Sequence, residues 1–84
     1  YPNPFNPIIT LVYELSSNVI VDGSIFDIRG EKITTLFREN QSAGTRAVIW
    51  DGKNQNGMLV SAGVYYFRLS SNNFIETKKI LMVK

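Results

Sequence analysis

With 84 residues, 44% of them hydrophobic and 19% charged, the chain has room for one folded domain with one core, and it is too apolar for disorder. Its net charge of +2 comes from nine basic and seven acidic residues, and only Lys78 and Lys79 are adjacent, so no basic stripe for nucleic acid forms. The absence of Cys and His removes disulfides, the thiolate nucleophile, the usual general base and the commonest metal ligand, which argues for a non-catalytic domain without a cofactor.

No apolar run approaches the roughly 18 residues of a membrane span. The chain opens on Tyr1 with neither a starting Met nor a signal peptide, and is expected to be a piece of a longer protein. All three prolines fall in Tyr1-Pro2-Asn3-Pro4-Phe5-Asn6-Pro7. Each proline fixes φ and pushes its predecessor toward extended backbone, so residues 1–7 read as a stiff lead-in to a domain over residues 8–84.

Strands then follow at close spacing. Ile9, Leu11, Tyr13 and Leu15 alternate with Thr10, Val12 and Glu14, a two-residue period that places the first set inward. After Ser16-Ser17-Asn18, the residues Val19, Val21, Gly23 and Ile25 share the inner face, opposite Ile20, Asp22, Ser24 and Phe26. Gly23 leaves a gap on that face, which Trp50 is expected to fill. Asp27-Ile28-Arg29-Gly30 is a turn with a mechanism: the Asp side chain caps the following amides and Gly30 takes positive φ. Ile33 to Phe37 is the next strand, and its broken alternation implies a bulge.

Glu39 to Gly44 reads as loop; the Asn40-Gln41-Ser42 glycosylation triplet inside it carries no weight. Thr45 to Trp50 is strand-like, with Arg46, Val48 and Trp50 on one side. The stretch Asp51 to Gly57 is dense in Asp, Asn and Gly and forms a loop. Met58 to Val60 makes a short strand, Ser61-Ala62-Gly63 a turn, and Val64 to Ser70 a strong strand. Asn72-Asn73 suits a hairpin turn, and Phe74 to Val83 is the last strand. Seven short strands without any helical period imply an all-β, single-domain, seven-stranded antiparallel immunoglobulin-like β-sandwich; a small barrel is the alternative.

Three places could carry recognition or chemistry. The Asp51–Gly57 loop superficially matches a calcium loop, but Lys53 and Gln55 stand where oxygen ligands are needed, so a self-capped turn is the preferred reading. Phe26 and Tyr66 fall on outward phases, where exposed rings suit carbohydrate or peptide. The last strand, with Lys78 and Lys79, is either a core strand with charged ends or an edge that a partner reads by strand pairing.

Tyr1-Pro2-Asn3-Pro4-Phe5-Asn6-Pro7 resembles the opening of the C-terminal sorting domains of the type IX secretion system found in Bacteroidota and relatives. Ile25-Phe26-Asp27 with Gly30, Ala43-Gly44, Trp50-Asp51-Gly52, Gly57, Ser61-Ala62-Gly63-Val64-Tyr65 and the Lys79-to-Lys84 ending follow in that family's order. Phe26 stands where Tyr is usual, and Arg46 where a His or another polar residue is common. The pattern is also similar to the immunoglobulin-like domain of the flagellar hook-capping protein, a structural relative.

The resemblance implies an export address: a tag on a periplasmic cargo that an outer-membrane translocon reads and surface machinery often cleaves. The chain would then be secreted or displayed at the cell surface, with an upstream cargo domain as its neighbour. By family analogy the translocon reads Val64, Tyr65, Lys78, Lys79 and Lys84. The alternative from another class is a structural immunoglobulin-like accessory module, a spacer or packing domain of a secreted multidomain enzyme; carbohydrate binding is a third reading, which needs a planar row of exposed aromatics.

Overall fold

The computed structural model describes residues 7–83, and within them the chain forms six strands: β1 (Ile9–Leu15), β2 (Val19–Asp27), β3 (Lys32–Gln41), β4 (Gly44–Trp50), β5 (Gly63–Ser70) and β6 (Ile75–Met82). All pairings are antiparallel. β1 and β4 make a two-stranded sheet, while β3-β2-β5-β6 make a four-stranded one. Alternating side chains from the two sheets close over one core, which makes the chain a sandwich-like all-β domain.

The expected alternation on β1 is present: Leu11, Tyr13 and Leu15 are buried while Val12 and Glu14 are exposed. Val21 and Ile25 on β2 are fully buried, as are Phe67 and Leu69 on β5 and Met82 on β6. Arg46, Val48 and Trp50 share the inner side of β4, with Trp50 completely enclosed. β2 and β3 change register between Gly23 and Ser24 and again between Ile25 and Phe26, which is the irregularity that the sequence of β3 implies.

Four expectations need correction. Six strands form rather than seven, because Met58–Val60 adds to no sheet: Leu59 makes a single bridge to Lys53. That segment folds back on its own loop instead, with the Asn54 amide donating to Met58 O at 2.8 Å and the Val60 amide to Gly52 O at 2.9 Å. Residues 39–41 are strand, not loop, since β2 continues as far as Val19 and pairs them out to Gln41. Gln41 is buried there and accepts the Tyr13 hydroxyl at 2.6 Å, so the polar end of β3 is satisfied inside the sandwich. The last strand is also shorter at both ends than expected, covering Ile75–Met82.

The last correction concerns Gly23. A Cβ on Gly23 would lie 2.3 Å from Cζ of Phe37, so the ring of Phe37 occupies the gap. Phe37 in turn stacks on Tyr13 with centroids 5.5 Å apart, and both rings meet Phe67. Trp50 packs elsewhere, edge-on to Tyr65 at 5.3 Å. The reason is register: Gly23 pairs directly with Phe37 on the neighbouring strand, and Trp50 is held near the Ile9 end of its own sheet.

Candidate functional site

Motifs scattered along the sequence meet at one end of the sandwich, where β2 ends, β5 begins and β6 finishes. Gly52 sits at the centre. Its backbone takes a φ of 76°, and a Cβ there would approach Met82 Cε and Pro7 Cγ to 3.1 Å each. The backbone conformation favours glycine, and a Cβ would also press on two side-chain ends, which would have to give by a few tenths of an ångström. Through it the last residue of the proline-rich segment, the Trp50-Asp51-Gly52 turn and the last strand come into contact. Tyr1 to Asn6 and Lys84, also assigned to the signature or the recognition set, lie outside the described residues.

Trp50 fixes the turn that follows it. Its indole Nε1–H donates to Lys53 O at 3.0 Å, and the Asp51 carboxylate accepts the Lys53 amide at 3.1 Å. Asn54 Oδ1 accepts the amides of Asn56 and Met58, and the Gly57 amide donates to Asn54 O. The loop is thus a self-capped turn, as its composition implied, and the Gln55 amide ties it to Ile33 O of β3.

The turn from Asp27 to Gly30 lies at the same end. Asp27 Oδ1 accepts the amides of Arg29 at 2.9 Å and Glu31 at 3.0 Å, and Gly30 has a φ of 85°. Arg29 Nη2 is 3.0 Å from Asp27 Oδ2. The Glu31 amide, ahead of the Arg29 contacts, holds the Asp27 carboxyl below the ordinary carboxylate value, against a smaller opposing effect of burial; Asp27 in turn raises Arg29. Between this turn and Ser61–Val64 lies an open depression of about 410 Å³, floored by Tyr65, whose hydroxyl donates to Ser61 O at 2.7 Å.

The residues assigned to recognition divide between faces. Val64 and Tyr65 pair with Leu81 and Ile80 on β6, and Tyr65 points into the core while Val64 is half-buried outside it. Lys79 faces solvent on the outer side of the four-stranded sheet, opposite Tyr66. Lys78 points the other way and donates its ammonium to Val12 O across the open side of the sandwich. Adjacent lysines on a strand must diverge in this manner, so they cannot act as one basic pair. β6 is itself an edge strand of its sheet.

Sequence reasoning missed the Pro7–Gly52–Met82 contact, which no local pattern announces. It placed Phe26 and Tyr66 outward correctly, and they prove to be register partners on adjacent strands. Among the described residues no three His, Cys, Asp or Glu side chains are grouped to hold a metal ion, and no helix is long and apolar enough to cross a membrane.

The family model of the FlgD Ig-like domain matches residues 9–74. The fold is similar to a crystal structure of FlgD from P. aeruginosa, with a TM-score of 0.72 and 20% sequence identity. That likeness covers 89% of this chain and 60% of the solved chain, so the domain corresponds to only part of that protein. No curated protein matches the chain.

Proposed function

The chain belongs to the FlgD Ig-like domain family, and from that premise we propose that it is a non-catalytic sorting module, read by the outer-membrane translocon of a type IX secretion system. The observation that carries this reading is the position of β6. The last strand, with Lys79, Leu81 and, toward its start, Ile75 exposed on its outer face, lies at a sheet edge and offers backbone groups on one side to a reader. A reader that accepts many unrelated cargoes needs a disulfide-free tag with its own core, and this domain has both properties. The closeness of Pro7 and Met82 to Gly52 supports the reading further, because it brings the residue that ends the proline-rich stretch near the last strand.

Fusing residues 1–84 behind a periplasmic reporter tests it. In a type IX-competent cell the reporter is expected at the surface, and Lys79→Ala combined with Lys84→Ala is expected to reduce its arrival without unfolding the domain. A reporter that the unaltered chain leaves in the periplasm would favour the second reading. That reading is a structural module which packs against or spaces out the rest of a longer protein, as an immunoglobulin-like part of a flagellar hook-capping protein or as an accessory domain of a secreted enzyme. The family match is the observation in its favour.

A further inference from the structure

The outer face of the four-stranded sheet carries a charge pattern of which the sorting reading uses only the β6 part, Lys79 and its exposed neighbours. Register sets Lys32, Phe26, Tyr66 and Lys79 side by side across β3, β2, β5 and β6. Their chain neighbours Ile25, Phe67 and Ile80 are buried in the core, so this row points away from it. With strands about 4.8 Å apart, the two lysine positions stand about 14 Å apart with two rings between them.

Arg68, in the next row, lays its guanidinium over the Phe26 ring at 4.2 Å from the centroid, and the Lys32 ammonium approaches the same ring at 5.8 Å. A stacked guanidinium keeps its edge donors free and loses little freedom when a carboxylate takes them in a bidentate pair. The carboxylate on this face is Asp22, which accepts the Ser24 hydroxyl at 2.6 Å. Among the described residues the ion pairs are those of Arg29 with Asp27 and Glu31, leaving Lys32, Arg68 and Lys79 without a carboxylate partner. On the same face of β6, Leu81 next to Lys79 exposes 67% of its surface and Ile75, four residues away, 68%.

We propose that this face docks on an acidic protein surface, with Arg68 and Lys79 taking carboxylates and Tyr66 and Leu81 supplying apolar contact. Charge complementarity sets the sign of the partner. A polysaccharide is disfavoured because a sugar stacks on an open ring face, and Arg68 and Lys32 already approach Phe26. Arg, aromatic and aliphatic groups together match the composition of protein interfaces. The proposal stands whether or not the domain is an export signal.

The test is titration of the isotope-labelled chain with a short poly-L-glutamate peptide, followed by amide chemical shifts, with polygalacturonate as a second probe. The glutamate peptide should shift Phe26, Tyr66, Arg68 and Lys79 and lose affinity as salt rises. Arg68→Gln should weaken binding roughly fivefold and Lys79→Glu by more. Arg68 covers part of the sheet, so Lys79→Glu, at an exposed site, serves as the variant that keeps its melting temperature. Shifts centred elsewhere, or affinity unchanged in the folded Lys79→Glu variant, would overturn the proposal. Tighter binding of polygalacturonate than of the peptide to the same row would overturn the assignment to a protein.

Discussion

The two faces of the four-stranded sheet are written by alternate residues of the same strands. On β5, Tyr65, Phe67 and Leu69 are buried, whereas Val64, Tyr66 and Arg68 lie on the other side. On β6, Ile80 and Met82 close the core while Lys79 and Leu81 face solvent. The inner set is apolar and interlocked; the outer set carries Arg68, stacked on the Phe26 ring, and Lys79. Core packing and outer-face charge can therefore be changed separately, one residue apart, and a register slip of one residue would exchange the two sets.

The largest effect should come from Trp50, the fully enclosed ring that the β1–β4 sheet packs onto Tyr65 of that inner set. Trp50→Ala removes a side chain packed on Tyr65 and frees Lys53 O, and is expected to cost about 3–5 kcal/mol. Urea unfolding measures it. A loss under about 1 kcal/mol would show that the inner layer is not the source of stability.

Gly23→Ala should follow, at about 1–3 kcal/mol, because its Cβ would fall within the Phe37 ring contact. Adding Phe37→Leu should recover part of that loss, since the two positions share one space. Purely additive costs in the double-mutant cycle would contradict the contact.

Asp27, at the end of β2, offers a pH handle. Its carboxyl is lowered in the fold, so its contribution is present above the ordinary carboxylate value near 3.9 and fades as pH falls through the lower folded value. Asp27→Asn should therefore melt below the unaltered chain at neutral pH, and the gap should close in acid. A gap that is constant with pH would mean that the ionised carboxylate does not cap the turn.

How much of this was legible in the sequence depended on how local the cause was. The Asp27–Gly30 turn could be read because its hydrogen bonds span four residues. The alternation of β1 and β4 was visible because side-chain period 2 follows from strand geometry. The filler of Gly23 was not, since it depends on which strand pairs beside β2, and sequence proximity of a large ring to a gap is no guide to that. For the same reason the seventh strand was over-read: Met58–Val60 has strand-like side chains, yet its backbone is already satisfied within the loop. At the candidate site, the Trp50-Asp51-Gly52 turn was legible as a motif, but its contact with Pro7 and Met82 was not.

The smallest effect on stability should accompany the outermost change: Lys79→Ala is expected to shift unfolding by no more than about 0.5 kcal/mol, because Lys79 is exposed and has no carboxylate partner among the described residues. A larger loss in urea would place Lys79 in the structural set.

The central claim, that this small sandwich is itself an export address, is tested most directly by the location of a periplasmic reporter fused to residues 1–84. The fusion is expressed in a type IX-competent strain and in a sister strain lacking the translocon. The account predicts reporter at the surface of the first and in the periplasm of the second. Reporter held in the periplasm of both, with the domain folded, would contradict it.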